Sequence, residues 1–177
     1  MTQTRYHGSW LALVAWLVVG IACAGAPATS PGTGDAWVDG VLVDIDRYAA
    51  RYPDSFVDEL ARYDGAPREL VAELLADGRW TAGDVYFACA LGRYAGQPCR
   101  SVVAARDRDR TRDWSLVARD LGAGPGSDAF QRIKRAIVRS YERWARPLQV
   151  DASLHAEFPK HGVMPAATTP APGSDRQ

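Results

Sequence analysis

The chain has 177 residues, of which 47% are hydrophobic, and its 21 basic side chains balance its 21 acidic ones, so its formal net charge is zero. This length and composition are sufficient for one compact domain with a buried core. The charge balance argues against a nucleic-acid-binding protein, because such a protein normally carries a basic surface.

The N-terminal segment has the layout of a secretory signal peptide. Arg5 precedes an uncharged apolar run from Trp10 to about Ala24, and a small-residue, Pro-rich stretch follows it. The sequence therefore predicts a signal peptide over 1–24 with cleavage near 24–28, a flexible linker over 25–34, and a periplasmic or secreted protein. Two alternatives stay open, lipidation at Cys23 and an uncleaved N-terminal segment, and they are the two cases in which we expect contact with a membrane.

Gly and Pro residues divide the region 35–147 into about seven predicted helices, and no alternating run in it is long enough to indicate a sheet. We therefore predict an all-α fold, a single compact multi-helix domain over 35–147. The first helix runs from Asp35 to about Arg51, although "GVLVDI" within it also fits a strand. Further helices begin at Pro53, Pro67 and Thr81. The helix after Thr81 is apolar nearly all round, which is typical of a central helix.

Two cysteines, Cys89 and Cys99, remain if the predicted cleavage removes Cys23. An even number of cysteines in an exported protein indicates a disulfide bond. Cys99 lies in the first turn of the predicted fifth helix, one short loop away from the helix that holds Cys89. Two buried free thiols are the alternative.

Two segments have no periodic apolar face. The charged run "RDRDRTRD", residues 106–113, combines attractive and repulsive pairs, and it is predicted to be a solvated connection. The Pro/Ala-rich tail, residues 148–177, is predicted to be disordered.

The segment from Trp114 to Lys134 resembles the helix-turn-helix unit of bacterial regulators. Its first helix ends at Leu-Gly, and Ser127 caps a long amphipathic helix. The intervening "GAGPGS" is about two residues longer than the usual turn, which alters the angle between the helices. Together with predicted export, this favours a helical packing unit, and DNA binding ranks third among the functions considered.

Five arginines of the long C-terminal helix form one stripe opposite its apolar face. The stripe fits either an ordinary solvated face or a binding face for an anionic partner. Residues 35–78 carry a net charge of −7 and residues 100–146 a net charge of +6, so the two halves are also expected to attract each other. The five arginines are Arg132, Arg135, Arg139, Arg143 and Arg146.

The three histidines, His7, His155 and His161, all lie outside the predicted folded core. The core therefore lacks the usual general base, the triads built on it and the usual zinc ligand. The sequence predicts no catalytic residue, no metal and no cofactor.

Carboxylates offer the remaining route to an enzyme. Two pairs, Asp58 with Glu59 and Glu69 with Glu73, would suit a small envelope hydrolase if they faced a cleft, although first-turn acids and surface charges of helices are the favoured explanation. Four further acids are dense but lack the spacing of an EF-hand. They are Asp35, Asp39, Asp44 and Asp46.

Three stretches, "DELARYDGAPRELV", "GDVYFACALGRYAGQPC" and "WSLVARDLGAGPGSDAF", make the region from Val41 to Pro147 similar to a group of uncharacterised exported helical proteins of Gram-negative bacteria. The resemblance implies the helical fold and carries no activity. We therefore expect a non-enzymatic binding or structural protein of the cell envelope, whose partner is an unknown macromolecule of that envelope.

Overall fold

The computed structural model describes residues 31–165, and this part of the chain is all-helical and without strands. The predicted all-α fold is confirmed. The predicted signal peptide, Cys23, His7 and the last twelve residues lie outside the described range. Seven α-helices and one short 3-10 helix follow each other in chain order: α1 (Ala36–Arg51), α2 (Pro53–Tyr63), α3 (Arg68–Asp77), α4 (Ala82–Ala95), α5 (Cys99–Arg108), α6 (Trp114–Asp120), α7 (Asp128–Arg143) and the 3-10 helix (Ala152–Leu154).

The helix boundaries follow the local signals of the sequence. The side chains of Asp35, Thr81 and Ser127 accept hydrogen bonds from backbone N–H groups in the first turns of α1, α4 and α7. Gly78 and Gly96 end α3 and α4 in the left-handed conformation. Helix α1 is continuous through "GVLVDI", so the strand alternative for that stretch is wrong.

Helix α4 lies at the centre of the domain and packs against α1, α3, α5 and α7. The helix is buried on nearly every side, as its apolar composition predicts. It crosses α1 closely, because a Cβ atom on Gly83 would lie 2.5 Å from the carbonyl oxygen of Leu42. The domain is therefore built around one buried helix, and α7 covers one of its sides.

A disulfide bond joins Cys89 of α4 to Cys99 in the first turn of α5. Both cysteines are buried, and their Cα atoms lie 4.3 Å apart. A side chain at Gly92 would press on this turn, since its Cβ would lie 2.8 Å from the carbonyl oxygen of Gln97. The predicted disulfide is confirmed, and it excludes the alternative of two free thiols.

The charged run 106–113 is more than a solvated connection. Helix α5 extends into it as far as Arg108, and the Arg106 guanidinium lies 5.1 Å from the ring centroid of Trp114. Arg110 lies 4.6 Å from the ring centroid of Trp80. The prediction is wrong for these two arginines because their side chains cover buried indole rings, a long-range contact that the charge pattern does not encode.

Residues 148–165 are ordered, which departs from the tail predicted to be disordered from residue 148. Val150 and Leu154 are buried in the domain. Val150 also forms a short parallel bridge with Val163: its N–H donates to the Gly162 carbonyl at 2.7 Å. The few apolar side chains that bury this segment are irregularly spaced in the sequence. They therefore form neither a helical nor a strand pattern from which the order could be predicted.

The buried Lys134 of α7 fastens this C-terminal segment to the domain. Its ammonium group lies 2.7 Å from an Asp35 carboxylate oxygen and 3.2 Å from an Asp151 carboxylate oxygen. Burial opposes ionisation of Asp151, but hydrogen bonds from Ser153 and Lys134 prevail and lower its pKa. The Trp37 indole N–H donates to the Gln149 carbonyl at 2.8 Å and closes the same junction.

None of the helices within residues 31–165 has both the length and the apolar character that a bilayer crossing requires.

Candidate binding cleft

The predicted helix-turn-helix segment contains helices α6 and α7, separated by residues 121–127. Helix α7 packs mainly against α4, and its apolar side, which includes Phe130, Ile133 and Ile137, is fully buried. A recognition helix needs a free face to enter the major groove. The only other face of α7 is the one that carries the arginine stripe.

The arginines of the stripe differ in the ion pairs and hydrogen bonds that they form. Arg132 is exposed and forms neither an ion pair nor a hydrogen bond with the described part of the chain. Arg135 and Arg139 both approach Glu157 of the C-terminal segment, at 2.6 Å and 3.5 Å. The stripe is therefore not one free basic face.

The last two arginines of the stripe turn inward to acids of the N-terminal half. Arg143 forms an ion pair with Glu59 of α2, and Arg146 lies 2.7 Å from an Asp44 carboxylate oxygen of α1. Together with the pair of Lys134 and Asp35, these contacts join the acidic half of the sequence to the basic half. The attraction expected from the charge distribution is confirmed.

The acids considered as metal ligands have separate structural partners. Asp35 caps α1, Asp44 accepts a hydrogen bond from the Tyr141 hydroxyl at 2.7 Å, and Asp46 accepts one from the Gly83 N–H at 2.7 Å. No group of three or more His, Cys, Asp or Glu side chains within 31–165 is arranged to hold a metal ion.

The carboxylate of Glu59 lies at the centre of a buried polar network. The Ser140 hydroxyl of α7 donates to its Oε1 at 2.6 Å, and the Nε of Arg143 lies 3.0 Å and 3.1 Å from its two oxygens. The Tyr86 hydroxyl of α4 lies 2.9 Å from the Ser140 oxygen, and burial raises the pKa of Tyr86 well above its usual value. The neutral phenol therefore donates to Ser140, and the network joins α2, α4 and α7.

This network forms the floor of an open cleft of about 400 Å³ between α1, α2 and the end of α7. The Arg143 guanidinium lies 3.7 Å from the ring centroid of Tyr63, and the rings of Tyr48 and Trp144 stack with centroids 4.2 Å apart. The cleft thus combines flat aromatic walls with a charged floor. Its lining residues are Tyr48, Ser55, Asp58, Glu59, Arg62, Tyr63, Arg143 and Trp144.

A second, smaller cavity of about 100 Å³ lies on the other side of Arg143, between the end of α2, the end of α4 and the middle of α7. Tyr63 and Arg143 line both spaces. Burial raises the pKa of Asp64, which also lines the small cavity, to about 7, although the charge of Arg93 opposes this. Arg93 approaches the Asp64 carboxylate only to 3.8 Å.

The sequence singles out Asp58, Glu59 and Arg143, which meet at the cleft, and Arg139, which lines the small cavity, but it predicts neither meeting and does not mark the other lining residues as a site. A signal was available at Glu59 and Ser140, which lie on the apolar rows of α2 and α7. A polar side chain on a buried row requires a buried partner. The remaining acids of the enzyme alternative, Glu69 and Glu73, are exposed on α3 and line neither space.

No protein-family model, no curated protein and no solved structure matches this chain.

Proposed function

We propose that the protein is a non-enzymatic binding domain of the periplasm or cell exterior, and that it binds a macromolecule of the cell envelope in the cleft between α1, α2 and α7. The observation that carries this proposal is the cleft itself, in which exposed aromatic and guanidinium groups surround a rigid, hydrogen-bonded floor. Tyr, Trp and Arg are the residue types that dominate binding energy at protein surfaces.

Exposed side chains stand at the cleft and beside it. Tyr63 is 40% exposed, and Tyr52, at the start of α2, is 44% exposed. Arg62 is exposed and has no ion pair or hydrogen bond within residues 31–165. Flat aromatic rings can stack on sugar rings or peptide planes, and free guanidinium donors can bind acidic groups. The cleft therefore suits a polymer that carries both features.

The two carboxylates of the cleft favour binding over hydrolysis. Both oxygens of Glu59 accept hydrogen bonds from Arg143, and Asp58 forms an ion pair with Arg68. A general acid presents its carboxyl group to the substrate, whereas arginine side chains of the protein engage both of these carboxylates. The cleft therefore presents no free pair of carboxylates of the kind that a glycoside hydrolase uses.

The disulfide bond supports the proposed location. Disulfides persist in the periplasm and outside the cell, whereas cytosolic thiols are kept reduced. The pair of Cys89 and Cys99 is buried in the central helix packing, where it serves stability rather than redox chemistry.

Co-sedimentation of the exported, purified protein with cell-wall sacculi, and separately with outer-membrane vesicles, tests the proposal. The wild-type protein is expected to pellet with one of the two fractions. The variant Arg62→Ala is expected to bind about five-fold or more weakly, because it removes an unpaired donor from the cleft. Arg132→Ala, which removes an equally exposed arginine outside the cleft, is the matched control. Equal binding by both variants, or no binding of the wild type to either fraction, would contradict the proposal.

A further inference from the structure

We propose that the small cavity beside the cleft is a subsite for one oxyanion group of the bound molecule, a carboxylate or a phosphate, held by Arg93, Arg139 and Arg143. The inference deepens the proposed function and rests on it for its biological meaning. The subsite itself is testable with small anions alone.

The cavity brings together more guanidinium donors than acceptors. Arg93 reaches it from α4, whereas Arg139 and Arg143 reach it from successive turns of α7. Each guanidinium carries five N–H donors in a planar fork that matches the two oxygens of a carboxylate or phosphate. A space of about 100 Å³ is suited to one such group and is much smaller than the neighbouring cleft of about 400 Å³.

Two of the three arginines are only weakly paired within the protein, and the third keeps one nitrogen without a partner in the described residues. Arg93 lies 3.8 Å from Asp64, and Arg139, whose side chain is 57% exposed, lies 3.5 Å from Glu157. Arg143 uses its Nε and Nη2 atoms on Glu59 and Ser140, and its Nη1 donates to no residue of the described chain. Three side chains that line one small space therefore retain N–H groups without a hydrogen-bond partner in the described residues.

Asp64 is the second observation that points to a ligand. Its side chain is 4% exposed and lines the cavity, yet it forms no hydrogen bond with any residue of 31–165. The charged and titratable groups around it come from all three helices: Glu59 and Tyr63 of α2, Tyr86, Arg93 and Tyr94 of α4, and Arg139 and Arg143 of α7. Arg93, at 3.8 Å, is its one ion-pair partner in the described part of the chain. A buried carboxyl that makes no hydrogen bond is costly, and an oxyanion that accepts its proton in a hydrogen bond would satisfy it.

The proton on Asp64 links oxyanion binding to pH. With a pKa of about 7, the carboxyl is neutral in acid and charged in base. The neutral form donates a hydrogen bond to a bound anion, whereas the charged form repels it. Oxyanion affinity is therefore expected to rise as the pH falls from about 8 to about 6.

Titration of the full protein with sulfate and with acetate, followed by NMR at constant ionic strength, tests the subsite. Neither probe titrates in this pH range, and the tetrahedral and planar anions distinguish a phosphate subsite from a carboxylate subsite. We expect saturable shifts of the backbone amides of Asp64 and Ser140 with at least one probe. Arg139→Ala, an exposed position that tolerates truncation, should weaken binding about five-fold or more, and Arg132→Ala should not. Shifts that do not saturate, or that are equal in the two variants, would overturn the subsite.

The variant Asp64→Asn tests the proton. It should bind the same anion with an affinity that no longer depends on pH, whereas the wild type should bind several-fold more tightly at about pH 6 than at about pH 8. An unchanged pH dependence in Asp64→Asn would overturn the role of Asp64. If small anions fail to bind while Arg62→Ala still weakens envelope binding, the subsite is wrong and the cleft proposal stands.

Discussion

Buried contacts between a cation and a carboxylate occur towards both ends of helix α7, but their surroundings differ. In the N-terminal half of α7, the buried ammonium group of Lys134 lies between the carboxylates of Asp35 and Asp151, so two anionic groups surround one cation. Near its end, Arg143 shares a single carboxylate, Glu59, with Ser140, and two further arginines stand close by. The Lys134 end is closed, because Lys134 is buried and, together with its two acidic partners, holds the C-terminal segment. The Arg143 end is open, because Arg143 lines two cavities in which arginine N–H donors lack hydrogen-bond partners in the described part of the chain.

This difference shows how one amphipathic helix separates folding from binding. A cation surrounded by its own acceptors has no capacity left for a ligand. Arginines that keep N–H groups without hydrogen-bond partners can donate them to an anion, and that binding is favourable. The arginines of the stripe look equivalent in the sequence pattern. In the structure they differ, because each has different partners.

The largest expected effect comes from removing the cation at the closed end. Lys134→Met leaves Asp35 and Asp151 facing each other without a counter-charge and should lower the free energy of unfolding by about 3 kcal/mol. Urea denaturation measures this loss. Oxyanion binding at the other end should persist in the folded fraction. A loss below about 0.5 kcal/mol would show that Lys134 does not fasten the C-terminal segment.

A smaller loss of stability is expected at the open end, with an opposite effect on binding. Glu59→Gln removes the carboxylate that neutralises Arg143, and it should cost about 2 kcal/mol because Arg143 is partly exposed and solvent screens the change. The freed guanidinium should also strengthen sulfate or acetate binding. Denaturation and NMR titration of the same sample measure both effects. Weaker anion binding in Glu59→Gln would contradict the division between the two ends.

The pH dependence of stability sharpens the same comparison. The pKa of Asp64 is about 7 in the folded protein, which is above its unfolded value, so its contribution to stability is complete below about pH 4 and is lost as the pH rises towards 7. Asp64→Asn should therefore be more stable than the wild type by about 1–2 kcal/mol at about pH 8, and equal to it in acid. Denaturation curves at both pH values provide the check. A parallel pH profile for the two proteins would contradict it.

The smallest effect is expected at Arg132, which lies on α7 two residues before Lys134 and outside both cavities. Arg132→Ala should change the free energy of unfolding by less than about 0.5 kcal/mol, because this exposed side chain pairs with nothing in the described range. It should also leave anion affinity unchanged. A measurable loss of either would mean that the stripe acts as a whole.

The sequence predicts most of the fold because the helix ends depend on neighbouring residues. Asp35, Thr81 and Ser127 cap helices that begin directly after them, and such local contacts are readable from spacing alone. The order of residues 148–165 was not readable in this way. It depends on Lys134 and on a groove formed by distant helices, so Val150 and Leu154 show no period.

The site was readable only in part for the same reason. Glu59 and Ser140 interrupt apolar rows, and this spacing by itself marks them as residues that need buried polar partners. Arg93 and Asp64 carry no such mark, since each looks like an ordinary residue at a helix end. Arg93 and Asp64 meet at the small cavity only because α2, α4 and α7 pack together there. The local sequence does not determine that packing.

The most direct test of the central claim compares two exposed hydrophobic side chains, one at the cleft and one outside it. Tyr63, at the cleft, is 40% exposed, and Met164, in the C-terminal segment and lining neither the cleft nor the small cavity, is 37% exposed. In co-sedimentation with the envelope fraction that the wild type binds, Tyr63→Ala should bind about five-fold or more weakly, and Met164→Ala should bind as the wild type does. Full binding by Tyr63→Ala, or a loss confined to Met164→Ala, would contradict the assignment of binding to the open end.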